Sequence, residues 1–185
     1  MNIVETKLKD CYIIEPKVFG DSRGYFFESF HLKKFTEVTG LAINFVQDNQ
    51  SSSSYGVIRG LHFQKGVHAQ AKLVRVLSGR VIDVAVDLRP DSDTFGQYEA
   101  VELSAENKKQ LFVPRGFAHG FSVLSETAEF SYKCDNYYNK ESESGIRYND
   151  PGLAIDWGIN NGDEIISEKD QDLPFLKEFN KSIYG

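Results

Sequence analysis

From residue 57 to residue 103, apolar and polar residues alternate along short segments separated by turn residues. Residues 57–64 interleave Val57, Ile58, Leu61 and Phe63 with Arg59, His62 and Gln64. Residues 72–79 repeat the alternation from Lys72 to a Ser78-Gly79 turn. A period of two predicts strands that hold functional groups on a rigid sheet. Residues 80–88 continue that hairpin with Ile82, Val84, Val86 and Leu88 on one face. A turn-rich loop at 89–96 leads to a strand at 97–103. Residues 109–113 run into Pro114-Arg115-Gly116, ahead of strands at 117–124 and 129–134.

The flanks are less regular. Residues 11–19 read as a strand, and Pro16 near its end predicts an edge position. A loop at 20–24 precedes a short strand at 25–30. Residues 31–39 predict a helix with Leu32, Phe35 and Val38 on one period and Gly40 just beyond. Residues 42–46 read as a strand carrying Ile43 and Phe45, followed by a polar tip, Gln47-Asp48-Asn49-Gln50, and a loop at 51–54. Beyond Asp135 the chain is irregular and polar, until Ser167 offers an N-cap to a helix start at Glu168-Lys169-Asp170.

No repeat, low-complexity tract or composition break divides the chain, and 185 residues suffice for one domain with a real core. The 14 Phe and 9 Tyr, against one Met and one Trp, favour strands. The expected architecture is all-β: a single domain over residues 1–185, a sandwich or jelly roll with a few short peripheral helices. A net charge of −6 argues against broad nucleic-acid binding, so an anionic ligand needs locally gathered arginines. Cys11 and Cys134 lack both a disulfide framework and a zinc-site spacing, and read as free thiols in a reducing cytosol. The first ten residues have no apolar signal core, and no run approaches the ~20 apolar residues of a membrane helix. A soluble, cytoplasmic chain with no membrane partner is expected.

His62 is the leading candidate for chemistry, since a neutral imidazole serves as a general base near physiological pH. A lone strand histidine is more often structural; Arg59 and Lys72 nearby count the other way. Strict alternation puts His62 opposite Arg59, so both reach one ligand only if the strand kinks, and Gly60 is where a bulge could form. Lys72 shares a face with Val74 and Val76, which suits either a rim lysine with its tip in water or a cation meeting a developing enolate oxygen. Tyr132 shares a face with Phe130 and Cys134, as a core tyrosine does, and Asp170 alone reads as a solvated helix-end charge. Pro114-Arg115-Gly116-Phe117-Ala118-His119 follows PxGxxH and resembles the second cupin motif. The first cupin motif has an HxH pair where this chain has His62-Phe63-Gln64, so a metal-free pocket is expected.

Seven strings together resemble the dTDP-4-dehydrorhamnose 3,5-epimerase family, metal-free cupins of the dTDP-L-rhamnose pathway. They are Asp21-Ser22-Arg23-Gly24-Tyr25-Phe26-Phe27-Glu28, Gln47-Asp48-Asn49, Arg59-Gly60-Leu61-His62-Phe63-Gln64, Gln70-Ala71-Lys72-Leu73-Val74, residues 114–124, Ser131-Tyr132-Lys133-Cys134 and Ser167-Glu168-Lys169-Asp170. They span nearly the whole chain in the family's order. The resemblance implies a cupin-type jelly roll, no cofactor, and a dTDP-4-keto-6-deoxy-hexose inverted at C3 and C5. It implies His62 as the base oriented by Asp170, Lys72 near the sugar C4 oxygen, and Tyr132 as the acid on the opposite face. It places Arg23, Glu28, Gln47, Asp48, Asn49, Arg59, His119, Glu143 and Lys169 around the substrate, with Tyr138 stacked on the thymine. It also implies a homodimer in which an N-terminal strand completes the partner's sheet. An epimerase of one centre on a related sugar, a non-catalytic sugar-nucleotide-binding cupin and a metal-dependent cupin are the alternatives, the last opposed by His62-Phe63-Gln64.

Overall fold

The computed structural model describes residues 1–179; residues 180–185, part of the domain expected over the whole chain, lie outside the described residues. In chain order the elements are β1 (Asn2–Glu5), β2 (Tyr12–Glu15), β3 (Phe19–Asp21), β4 (Gly24–Phe26), α1 (Leu32–Thr39), β5 (Gln47–Ser54), β6 (Ile58–Gln64) and β7 (Lys72–Ser78). There follow β8 (Arg80–Asp87), β9 (Tyr98–Ser104), β10 (Gln110–Val113), β11 (Phe117–Val123), β12 (Thr127–Cys134), β13 (Glu143–Gly145) and α2 (Glu168–Gln171). A six-stranded sheet runs β1-β2-β10-β7-β12-β5, a five-stranded sheet runs β13-β6-β11-β8-β9, and β3 and β4 form a separate ribbon.

The two large sheets pack face to face, as the alternation requires. Val74, Val76, Leu111, Ala128 and Phe130 of the first meet Val81, Ala85, Leu103, Phe121 and Val123 of the second in one buried cluster. At its centre Phe121 and Phe130 stack with centroids 4.2 Å apart, an arrangement worth ~0.5–1.5 kcal/mol beyond its area burial. β8 is buried on both faces: Val81 and Ala85 point into the core, while Val84 and Val86, with Leu88 just past the strand, turn outward against Ile146, Leu153 and Trp157 of the C-terminal segment. The outer face of the six-stranded sheet is covered by Phe35, Ile43 and Phe45 packed on Leu73 and Phe112.

Four expectations fail in the N-terminal third. Residues 42–46 form no strand, since Ile43 and Phe45 are spent on covering that outer face. The strand is instead the polar stretch Gln47–Ser54, expected to be tip and loop. Its eight residues pair in register with all of β12, and ladder hydrogen bonds outweigh poor strand propensity at a sheet edge. Pro16 does not mark an edge: β2 ends at Glu15 and lies between β1 and β10. The strand expected at 25–30 contracts to β4. α1 forms as expected with His31 as N-cap and Gly40 at φ 72° as C-cap, but only Phe35 is buried.

The kink expected at Gly60 is present. Across the β6–β11 ladder His62 pairs with His119 and Arg59 with Phe121, so β6 uses one residue more than β11 over this span. That bulge shifts the phase of alternation, and Arg59 and His62 both turn to the inner face while Ile58 and Leu61 remain in the outer cluster. Glycine is required at the bulge: Gly60 has φ +133°, and an added Cβ would lie 2.6 Å from Gly120 Cα. Gly60→Ala is expected to lower stability by roughly 2–4 kcal/mol, seen as an earlier urea midpoint with an unchanged slope.

Candidate active site

At one end of the sandwich the sheets part around a cavity of about 540 Å³ lined by residues that include Arg59, His62, Lys72, His119, Tyr132 and Asp170. A second cavity of about 250 Å³, with Gln47, Asn49, Tyr138 and Glu143 in its walls, shares His62, Lys72 and Tyr132 with the first. These three side chains therefore stand at the junction of two lobes. His62 comes from the five-stranded sheet, and Lys72 and Tyr132 from adjacent strands of the six-stranded sheet, so the imidazole faces the ammonium and the phenol across the gap.

His62 Nε2 lies 2.7 Å from Asp170 Oδ1. A carboxylate only accepts, so Nε2 carries the proton and Nδ1 is the nitrogen left to accept one. Asp170 is held from three sides. Its second oxygen accepts from the Gly60 N–H at 3.3 Å, its own N–H donates to Ser167 Oγ at 3.1 Å, and its side chain is nearly enclosed. Burial alone would raise the Asp170 carboxyl, but the hydrogen bond and charge of His62, with Gly60 and Ser167, outweigh it and set it below the usual value.

Around this pair lie further polar contacts. His119 Nε2 stands 3.0 Å from each oxygen of the fully buried Asp83, and Arg59 Nε donates to Ser53 Oγ at 3.0 Å across the two sheets. In the smaller lobe the Tyr138 hydroxyl donates to Glu143 Oε2 at 2.9 Å, and Lys169 Nζ lies 2.6 Å from the same oxygen. Gln47 Nε2 donates to Asn49 Oδ1 at 3.1 Å. Thus α2 places Lys169 and Asp170 in the wall of the larger lobe, and Lys169 also pairs with Glu143 of the smaller one.

Three residues implied by the resemblance do not reach this cavity within one chain. Arg23 sits on the exposed β3–β4 ribbon paired with Asp21 at 2.5 Å. Glu28 pairs with Lys34 at 2.8 Å. Asp48 lies on the outer face of β5, 3.0 Å from Lys133, because its neighbours Gln47 and Asn49 take the inner face. Three contributors lie outside the set expected from sequence: Ser53, Asp83 and the Gly60 N–H. Asp83 carries a signal in the sequence, an acid on the face of β8 opposite Ile82 and Val84, between Val81 and Ala85 in the core. No described group of three or more His, Cys, Asp or Glu is placed to hold a metal ion, and no described helix is long and apolar enough to cross a membrane.

Lys72 Nζ stands 5.8 Å from the centroid of the Tyr132 ring, and among the described residues neither it nor the Tyr132 hydroxyl has a hydrogen-bond partner. Burial pushes the Lys72 ammonium below the usual lysine value against the opposing pull of Cys134, Asp83 and Glu143. Burial also raises the Tyr132 phenol, helped by Cys134 and countered by Arg59. With the folded value depressed, the unfolded chain binds the Lys72 proton more tightly, so this group's contribution improves as pH rises towards the ordinary lysine range and is lost as pH falls through the folded value. Lys72→Met is expected to raise the melting temperature by roughly 2–4 °C, equivalent to ~1 kcal/mol, with the gain shrinking at alkaline pH in calorimetric scans.

The sequence profile of the dTDP-4-dehydrorhamnose 3,5-epimerase family matches residues 5–178. The chain is 54% identical over 178 residues to the Escherichia coli K12 protein of that name, covering 96% of each. The crystal structure of the Elizabethkingia anophelis dTDP-4-dehydrorhamnose 3,5-epimerase superposes with a TM-score of 0.94 at 67% identity, covering 97% of this chain and 98% of the other. A Legionella pneumophila epimerase in complex with dTDP-4-keto-L-rhamnose superposes equally well, TM-score 0.94 at 50% identity, over 99% and 96% of the two chains. With its opposed imidazole and phenol and its likeness over nearly its whole length, this chain belongs to the dTDP-4-dehydrorhamnose 3,5-epimerase family.

Proposed function

We propose that the protein inverts both C3 and C5 of dTDP-4-dehydro-6-deoxy-D-glucose to give dTDP-4-dehydro-L-rhamnose, as a single-domain, cupin-like, cytoplasmic isomerase. The observation that carries this reading is the opposition of His62 to Lys72 and Tyr132 across one cavity. In a 4-keto sugar the hydrogens on C3 and C5 both flank the carbonyl, so loss of either gives an enolate. His62, with Nδ1 free and Nε2 bound to Asp170, takes the proton, and the carboxylate steadies the imidazolium that forms. Lys72, without an ion-pair partner among the described residues, meets charge on O4 that appears only as the proton leaves. Tyr132, kept a phenol by its raised value, returns a proton from the opposite face. Each inversion leaves a protonated His62 and a Tyr132 phenolate, which solvent resets. A proton leaves and a proton returns, so the reaction is redox-neutral.

The nucleotide is assigned to the side of Arg59, Lys169, Gln47, Asn49, Tyr138 and Glu143, with His119 at the back. Arg23 and Glu28 fit this scheme if the chain is a homodimer, a second copy bringing its ribbon to the cavity. Phe19, Tyr25 and Phe26 on that ribbon are 54–67% exposed in the single chain, which favours a covered position. Asp48, paired outside the cavity, acts through the position it gives β5.

Chelator-treated protein in D₂O is expected to place deuterium at both C3 and C5 and to release the L-configured product, followed by NMR. Labelling at neither carbon overturns the reading, and labelling at one alone replaces it with a single-centre epimerase. His62→Ala should abolish exchange at both carbons, a loss of at least ~10²–10⁴-fold, while dTDP still binds by calorimetry. Tyr132→Phe should retain some exchange yet lose inversion; equal loss of both would contradict its place on the far face.

A further inference from the structure

β13 pairs with one edge of β6 over residues 62–64, and the C-terminal segment extends the line of that edge with a parallel bridge between Val57 and Ile165. Ile165 N–H donates to Gly56 O at 2.8 Å, and Ile58 N–H donates to Ile165 O at 3.1 Å. Two residues further on, the next N–H on that edge belongs to Gly60, and it meets no backbone carbonyl of the segment; it donates to Asp170 Oδ2 at 3.3 Å. At Leu61 the edge passes to a different partner, with Leu61 N–H donating to Ile146 O at 3.0 Å. The Asp170 carboxylate thus fills the rung left open where the bulge interrupts the ladder, while its other oxygen holds His62 at 2.7 Å.

What places the carboxylate at that rung is a helix of one turn. α2 has four residues, and the backbone bonds of its turn are Asp170 N–H and Gln171 N–H to Ser167 O, at 3.0 and 3.1 Å, and Asp172 N–H to Glu168 O, at 3.2 Å. A single turn is close to its nucleation limit and has little stability of its own. Its N-cap is Ser167, whose hydroxyl accepts from Asp170 N–H at 3.1 Å, the very residue that carries the carboxylate. The serine itself is exposed at the wall of the larger cavity and stands outside hydrogen-bonding contact with His62. Loss of its hydroxyl leaves the Asp170 N–H without that side-chain acceptor and lets the turn fray.

We infer that Ser167 is a positioning residue for the reaction: by capping α2 it holds Asp170 in the gap beside Gly60 and so keeps His62 oriented as the base. This rests on the reading of His62 as the proton acceptor. Ser167 reaches the wall of the larger cavity, but its hydroxyl is engaged with the Asp170 N–H and makes no hydrogen bond to His62, Lys72 or Tyr132, so its removal is expected to slow the proton-transfer step more than it weakens nucleotide binding.

The test is a mutant cycle read by deuterium exchange at C3 and C5 and by steady-state kinetics, with melting temperature recorded for every variant. Ser167→Ala is expected to lower kcat about 10-fold, which is ~1.4 kcal/mol, with KM within about twofold of the unsubstituted protein's. Ser167→Asn, an equally good cap, is expected to recover kcat to within about threefold. In an Asp170→Ala background, Ser167→Ala is expected to change the residual rate by less than about twofold, because the two act in series. The inference is overturned by an unchanged kcat in Ser167→Ala, by a Ser167→Asn variant as slow as Ser167→Ala, or by effects of Ser167 and Asp170 that multiply. It is equally overturned if Ser167→Ala melts below the assay temperature, since the cap then supports the whole fold. An unsubstituted protein that exchanges neither carbon is a distinct result, and condemns the epimerase reading instead.

Discussion

Gly60 and Gly120 face one another on paired strands so closely that a Cβ on Gly60 would lie 2.6 Å from Gly120 Cα, and one on Gly120 would lie 2.6 Å from Arg59 O and 3.1 Å from Gly60 Cα. The site depends on this approach. Backbone contact without side chains lets β6 carry one residue more than β11, and the extra residue brings Arg59 and His62 to the same inward face. The same peptide region ends the segment's backbone pairing and leaves the Gly60 N–H for Asp170. One local irregularity therefore orients the imidazole, places the guanidinium and supplies a donor to the carboxylate behind the imidazole.

The rest of the sandwich makes that irregularity tolerable. Tightly packed aromatic and aliphatic side chains between the sheets hold both walls rigid, and the Phe121–Phe130 stack borders the cavity directly. Against such walls an ammonium and a phenol can be kept short of partners. Both are shifted by burial towards their neutral forms, Lys72 down and Tyr132 up. A solvated surface would hold neither in this condition, and partners from within the chain would occupy groups that here stay open to the cavity.

The central strands were legible in the sequence because their burial is one-sided or complete, and period-two alternation then carries the register. The faces expected for Lys72, Tyr132 and Ile82 hold in the structure, and so does the kink at Gly60. β5 was illegible for the opposite reason. Its inward residues Gln47, Asn49 and Ser51 line cavities instead of core, so it carries no hydrophobic signal, and only pairing with β12 makes it a strand. The mistake over residues 42–46 has a related cause: apolar residues that cover a sheet from outside imitate a strand within it. In the site, single residues could be nominated but their partners could not. No sequence pattern joins Asp83 to His119, 36 residues away, and Ser53 meets Arg59, six residues on, only because β5 and β6 enter different sheets that then face each other.

The pair formed by His62 and Asp170 bridges 108 residues of chain. The last strand of either sheet is complete at Gly145, well before the acid is reached. During synthesis the β-sandwich has all its strands while the imidazole still lacks its carboxylate, and the pair forms only when the closing segment docks on β6. Formation of the strands and completion of the pair are thereby separate events, and the segment that carries the acid also carries Ile146, Leu153 and Trp157, which cover β8.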